Sequence, residues 1–321
     1  MTEKLTLACG VYDLTYPLIN GLVESEGIDL NILSNFRSID HFERMYAYSE
    51  FDVCEFSLTL HLISWDRGDR RFIGLPILLN RQFVQKNLYR KIDSGISVPK
   101  DLEGRSVGLP IYQNARWIWT RGILEDYYGV ETNKIKWYTE RPERLDLKMP
   151  PDVKLEQLPR GMTSVEALET GLIDAIGSFR NPNSKQVTKL FPNIRAEEKK
   201  YFQKTKMLPA MHIIVVKREI LERSPWVAQA LMRAFQRSKE LCYEIRDKLS
   251  EQGGSSNIWM NDNLTEQNEL LGNDPYPFGL KANGPELKLW ADYSQRQGFI
   301  SSKPDIPSLF ATGTDIVRGT R

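Results

Sequence analysis

The sequence predicts an α/β protein of two similar lobes, and three observations carry that prediction. Short apolar strands alternate with amphipathic helices along the chain. The pattern starts again near Ser97, after an apolar strand at 75–79 has ended in Asn80-Arg81. A length of 321 residues exceeds one small core and suits two bodies of about 150 residues each.

The first expected strand, Leu5-Thr6-Leu7-Ala8-Cys9, exits through Gly10-Val11-Tyr12-Asp13. A helix opens near Asp40, with Glu43 as its capping-box partner and Phe42 and Met45 among its apolar positions. Phe51-Asp52-Val53-Cys54 reads as the next strand and leads through Glu55-Phe56-Ser57 into another helix. The second lobe begins with a turn at 97–104 and the strand Ser106-Val107-Gly108-Leu109-Pro110. The exit loop Ile111-Tyr112-Gln113-Asn114 opens a helix that Gly129 stops. Thr163 and Glu166 spell a second capping box, and Gly171 closes that helix before Leu172-Ile173-Asp174-Ala175-Ile176. Segments 45–57 and 167–179 echo each other; aligning Asp52 with Asp174 sets Ser57 opposite Phe179.

The run 208–216 reads as a buried strand carrying His212 at its start. A long helix comes next, with Ser224 as N-cap and Pro225 in its first position. Val227, Leu231, Phe235, Ser238 and Cys242 share one of its faces. Residues 250–275 read as a polar loop, and a last helix begins at 287–293. Lobe one is therefore expected from 1–80 plus 206–321, lobe two from 84–203, with hinge strands near 81–83 and 204–212.

The 43 basic and 42 acidic side chains leave a net charge of +1, which sets up no field for nucleic acid or an anionic membrane surface. No GxGxxG, Walker loop or nucleophilic triad is present. No apolar stretch approaches the roughly 20 residues of a membrane span. The start of the chain shows no basic and apolar leader, so a cytoplasmic location is expected. Cys9, Cys54 and Cys242 lie far apart in apolar segments and read as reduced core thiols. The three histidines form no metal-ligand spacing, so no metal is expected; Asp13, Glu55 and His212 are the groups a divalent ion would need to bring together. Homo-oligomerisation stays open.

His212 is the first candidate for chemistry, because an imidazole titrates near working pH and can move a proton. The plain alternative is a half-buried histidine tied to a backbone carbonyl. Glu55 and Ser57 lie at a strand exit, where ligands gather in open α/β sheets. A structural ion pair and an N-cap are their respective alternatives. Arg81, Arg116 and Arg121 are candidate carboxylate clamps, since a guanidinium meets a carboxylate with two parallel hydrogen bonds. Arg116 falls in the first turn of its helix, where its charge opposes the helix dipole and a bound anion would relieve the conflict. A solvent-facing side chain is its alternative; Arg81 could instead form a salt bridge between the lobes, and Arg121 could pair with Glu125. Trp119 is placed for stacking on an aromatic ring or for core packing. Tyr12, Gln113 and Phe179 occupy other strand exits and are further candidates for substrate contact.

The phrases Asp101-Leu102-Glu103-Gly104-Arg105-Ser106-Val107-Gly108 and Gly171-Leu172-Ile173-Asp174-Ala175 are similar to those of the type II periplasmic-binding-protein fold. In that fold two α/β lobes flank a ligand cleft. A closer resemblance, spanning roughly 5–300, is to the 4,5-dihydroxyphthalate decarboxylase family. It is carried by Phe51-Asp52-Val53-Cys54-Glu55-Phe56-Ser57-Leu58, by the segment from Tyr112-Gln113 to Glu125-Asp126, by Met211-His212 with Pro225-Trp226, and by Tyr276-Pro277-Phe278-Gly279. The resemblance implies removal of one carboxylate from a hydroxylated aromatic dicarboxylate, without an organic cofactor. It also implies a small aromatic carboxylate as the binding partner; His212 and Glu55 are the candidate catalytic residues, Glu55 either accepting the phenolic proton or orienting His212. The alternatives are a solute-binding protein for an aromatic acid and a ligand-sensing pair of lobes. The missing leader and the lack of a DNA-binding or signalling domain count against them.

Overall fold

The computed structural model describes residues 2–34, 38–143, 145 and 149–314. In chain order the regular elements begin with β1 (Glu3–Ala8), α1 (Tyr16–Ile19), β2 (Ile28–Leu33), α2 (Ser38–Tyr48), β3 (Val53–Ser57), α3 (Leu58–Asp66) and β4 (Phe72–Arg81). They continue with β5 (Leu88–Lys91), β6 (Ser106–Leu109), α4 (Ala115–Asp126), β7 (Lys136–Thr139), β8 (Lys154–Gln157), α5 (Ser164–Glu169), β9 (Ala175–Gly177), β10 (Val187–Lys189) and α6 (Ile194–Thr205). The last are β11 (Ala210–Lys217), α7 (Arg218–Arg223), α8 (Trp226–Glu251), α9 (Met260–Leu271) and α10 (Leu280–Arg296).

Two compact units result. Among the described residues, unit 1 takes everything up to Arg81, then Ala210–Lys288 and the chain from Pro304 on; unit 2 takes Gln82–Pro209 and Leu289–Lys303. The segment Leu289–Lys303 corrects the sequence-based boundary, which leaves it with the first lobe. Trp290 and Tyr293 pack on Trp119, and the Tyr293 ring lies where a Cβ on Gly122 would sit. Such packing pairs are invisible in the local pattern. Residues 315–321, also expected in the first lobe, lie outside the described residues.

Unit 1 is built on a five-stranded sheet of order β2-β1-β3-β11-β4. The first three strands are parallel, and β11 runs antiparallel to both β3 and β4. Every residue of β3 is buried, as a central strand covered on both faces requires. The apolar stripe of α8 (Val227, Leu231, Phe235) joins Leu7, Val53, Ile77 and Ile214 in one core. Each such side chain, when buried, contributes about 1.5–3 kcal/mol. Ser238 on the same stripe is polar for a reason: its hydroxyl donates to Leu14 O (2.7 Å) and accepts from Leu18 N (3.1 Å), pinning the segment after β1.

Unit 2 carries a six-stranded sheet of order β10-β5-β9-β6-β7-β8, with a core of Tyr89, Tyr138, Ala167, Leu168, Ile173 and Ile176. The echo between the two sequence segments has a physical basis. Asp52, just before β3, accepts from Thr6 N of β1 at 2.9 Å, and Asp174, just before β9, accepts from Ser106 N of β6 at 2.9 Å. Each carboxylate satisfies a backbone donor of the adjacent parallel strand.

Three local expectations differ from the structure. Pro225, rather than Ser224, is the N-cap of α8, because Ser224 closes the short helix α7. The expected loop at 250–275 contains α9, none of whose residues is buried, so no apolar period marks it. Helix α10 starts at Leu280 and holds Pro285 inside it, where the sequence argues for a break.

Candidate active site

The exit of β1, the interior of β3 and the start of β11 bring Tyr12, Glu55 and His212 of unit 1 together. In the antiparallel pairing of β11 with β3, Ile214 lies opposite Glu55 and His212 opposite Ser57. His212 and Glu55 are thus diagonal cross-strand neighbours on one face. Register shifts between Ala210 and Ile214 mark an irregularity in the β11–β4 pairing at this position. Bulges of this kind re-aim side chains next to active sites. The result is a 2.6 Å hydrogen bond between His212 Nδ1 and Glu55 Oε1. With Glu55 ionised, Nδ1 carries the hydrogen and donates, which leaves Nε2 as the reactive nitrogen.

Glu55 has no solvent exposure. Its Oε2 accepts from Gly10 N at 2.7 Å, and its Oε1 also accepts from the Tyr12 hydroxyl at 2.6 Å. Burial opposes ionisation, but the hydrogen bond from His212 and the proximity of His41 outweigh it and hold the carboxyl well below its usual range. Gly10 is required by close approach: a Cβ there would stand 2.9 Å from the Tyr12 ring and 3.0 Å from Glu55 Oε2. Thr15 fixes the loop between them, donating to Gly10 O and accepting from Tyr12 N, both at 2.9 Å. The His212 ring meets Phe42 edge-on at 4.8 Å and remains about 15% exposed.

His41 belongs to this cluster, although sequence reasoning does not single it out. It lies on α2, fully buried, with Nε2 3.6 Å from Glu55 Oε2. A signal for it exists. Met45 reads as an apolar position of that helix, and His41 precedes it by four residues on the same face.

The other sequence candidates of unit 1 are engaged in structure. Ser57 is the N-cap of α3, accepting from Leu60 N at 3.5 Å. Arg81 is buried in an ion pair with Glu286 Oε2 (2.5 Å) and a hydrogen bond to Asn283 Oδ1, so its guanidinium serves the interior of unit 1 rather than a substrate carboxylate.

In unit 2 the candidates separate in the same way. Arg121 is fully buried; it donates to Gln297 Oε1 (2.7 Å) and Tyr112 O (3.1 Å) and covers the Tyr112 ring at 3.6 Å. The Glu125 pairing considered from the sequence is not what holds it: Glu125 accepts from Thr132 and Arg296 instead. Trp119 is buried against Trp290 and Tyr293. Gln113 uses its amide on the Leu145 backbone, donating to its carbonyl and accepting from its N–H. These are core roles, decided by packing partners far away in sequence.

Arg116 is different. Its backbone N–H donates to the Asn114 N-cap at 2.9 Å, and its guanidinium lies 5.0 Å over the ring of Phe179, which is 40% exposed. Its Nε is buried without a hydrogen bond, and no acidic side chain pairs with it among the described residues. Burial alone pulls its pKa down to about 10, so it stays cationic at neutral pH. Lys86, which the sequence does not point to, is a second cation; desolvation disfavours its charge, the carboxylate of Glu198 favours it, and the charge of Arg116 disfavours it again. A half-buried guanidinium with no acidic partner among the described residues can accept an anion.

No group of three or more metal-ligating side chains occurs among the described residues, and no described helix is long and apolar enough to cross a membrane. Cys9, Cys54 and Cys242 are free thiols.

By class, the two sheets define a type II periplasmic-binding-protein-like fold. The chain superimposes on the periplasmic aliphatic sulphonate binding protein of Escherichia coli with a TM-score of 0.53 at 11% identity, over 100% of this chain and 96% of that one. A periplasmic sulfonate-binding protein from Methylobacillus flagellatus gives a TM-score of 0.54 at 12% identity, over 96% and 91%. No family model matches the chain. Among curated proteins, 4,5-dihydroxyphthalate decarboxylase of Comamonas testosteroni is 30% identical over 321 residues, covering 96% of each chain. The Pseudomonas putida protein of the same name is 31% identical over 187 residues, covering 56% of this chain and 72% of that one. The chain belongs to the 4,5-dihydroxyphthalate decarboxylase family, named for a carboxy-lyase activity.

Proposed function

We propose that the chain decarboxylates a hydroxylated aromatic dicarboxylate of the 4,5-dihydroxyphthalate kind, with His212 as the acid and no organic cofactor. The observation that carries this reading is the 2.6 Å bond from His212 to a buried carboxylate. That carboxylate is already occupied by Gly10 N and Tyr12 OH, so Glu55 orients the imidazolium rather than accepting a phenolic proton.

These groups define the chemistry. A ring hydroxyl para to the departing carboxylate releases its proton to water, to be taken back once the ring is restored, and pushes an electron pair into the ring. The carbon bearing that carboxylate takes the proton on His212 Nε2 and becomes tetrahedral. Its bond to the carboxylate then breaks, the pair returns to the ring, CO2 leaves and aromaticity is restored. Each turnover consumes one proton, which His212 regains from solvent. Within unit 2, Arg116 with the Phe179 ring under its guanidinium is the proposed binding point for an aromatic carboxylate.

The test is to supply the purified protein with 4,5-dihydroxyphthalate and follow CO2. A positioned acid is worth about 10²–10⁴ in rate, so His212→Gln should lower turnover by that order while folding and binding persist. Near-native turnover in that variant removes His212 as the acid. Tight binding by the native chain with no CO2 released overturns the decarboxylase reading.

A further inference from the structure

His41 is a buried titratable group that the proton transfer above does not use. Both of its ring nitrogens are inaccessible to solvent and lack hydrogen-bond partners. Native proteins rarely leave such atoms unsatisfied, so each case calls for an explanation. One lies close by: His41 Nε2 faces Glu55 Oε2 at 3.6 Å, on the opposite side of the carboxylate from the oxygen that holds His212.

Two imidazoles therefore flank one buried carboxylate. While His212 is an imidazolium, its charge balances Glu55. Once His212 gives up its proton, the carboxylate keeps only the Gly10 N–H, the Tyr12 O–H and a neutral imidazole N–H. A charge-assisted N–H···O⁻ bond is about 2.7–2.9 Å long, so an approach of less than about 1 Å would let His41 join them.

We propose that His41 is a positioning residue that donates its Nε2–H to Glu55 when His212 has lost its proton. By stabilising the carboxylate in that state, His41 makes the imidazolium of His212 a stronger acid. This inference rests on the proposed role of His212. The titratable groups facing the array are Tyr12 from the β1 exit, and Cys9 and Cys54, whose thiols burial pushes up before the charge of Glu55 adds to it. On α2 the charged neighbours Asp40, Glu43 and Arg44 are half-buried or exposed.

The test uses the full chain labelled with ¹⁵N-histidine; it holds three histidines, assigned through His61→Gln and His212→Gln. In the native protein the Nε2–H resonance of His41 should move downfield as His212 loses its proton. In His212→Gln that movement should vanish. His41→Phe removes the donor, and the basic limb of the kcat profile should rise by about one pH unit. His41→Gln restores an amide donor and should bring the limb back toward its native position. A His41 resonance indifferent to the titration of His212 overturns the inference, as does a His41→Phe profile that overlays the native one. The resonances are read on resting protein, so the inference can fail while CO2 is still released. A chain that releases no CO2 ends the catalytic reading, yet leaves the coupling between the imidazoles measurable.

Discussion

Replacing Glu55 by Gln keeps the shape of the side chain, removes its charge and breaks a countable set of bonds. The carboxylate accepts Gly10 N on one oxygen and both Tyr12 OH and His212 Nδ1 on the other. An amide offers one carbonyl oxygen, so its NH2 must face at least one of these donors. A buried donor left unpaired costs about 1–3 kcal/mol, and the lost charged bond to His212 is worth about 1.5–3 kcal/mol. At about 1.4 kcal/mol per factor of ten, turnover near neutral pH should fall roughly 10–100-fold. The basic limb of the kcat profile should move to lower pH by about 1–2 units, because the imidazolium loses its counter-charge. Stability adds a second readout. Glu55 is held ionised below its ordinary value of 4.5, so its contribution is full above that pH and fades as pH falls further. The native protein should therefore lose its advantage over Glu55→Gln on acidification below about 4.5, and urea midpoints taken across that range will show it. Native turnover, with an unmoved limb and equal midpoints at neutral pH, would refute the reasoning.

Arg116→Ala should weaken binding of an aromatic dicarboxylate by about 2–5 kcal/mol, if a buried charge loses its partner; calorimetry showing native affinity removes Arg116 from the site. Arg81→Ala leaves Glu286 buried and unpaired, and should destabilise the fold by about 3–5 kcal/mol; an unchanged denaturation midpoint would contradict the ion pair. His61 is buried, its Nε2 donating to Leu309 O at 3.0 Å, and burial pulls its pKa from 6.5 to about 4. The unfolded chain binds the extra proton, so stability should drop by about 3 kcal/mol as pH falls from about 6.5 to 4, and His61→Gln should flatten that slope in urea titrations.

Much of the fold is legible locally. The apolar runs around Val53 and Ile214, the Thr163–Glu166 box and the stop at Gly129 all depend on residues within a turn or a strand of one another. The structure shows each of them. Helix α9 escapes because it buries nothing, and α10 because Pro285 contradicts its interior position. The site divides along the same line. His212, Glu55 and Tyr12 stand out because strand exits in an α/β pattern carry few titratable side chains.

By itself, the sequence determined which groups stand at strand exits and that two similar bodies would form, since hydrophobic period and capping are properties of neighbours along the chain. Only the tertiary structure decided which charges are already paired. Arg81 meets Glu286 across 205 positions, Arg121 meets Gln297 across 176, and His212 meets Glu55 across 157. Arg116 shares the residue type of Arg81 and Arg121 and differs in lacking such a partner among the described residues. The reason is physical: a guanidinium looks the same in any sequence, while its desolvation and counter-charge are set by whatever the fold brings within a few ångströms of it.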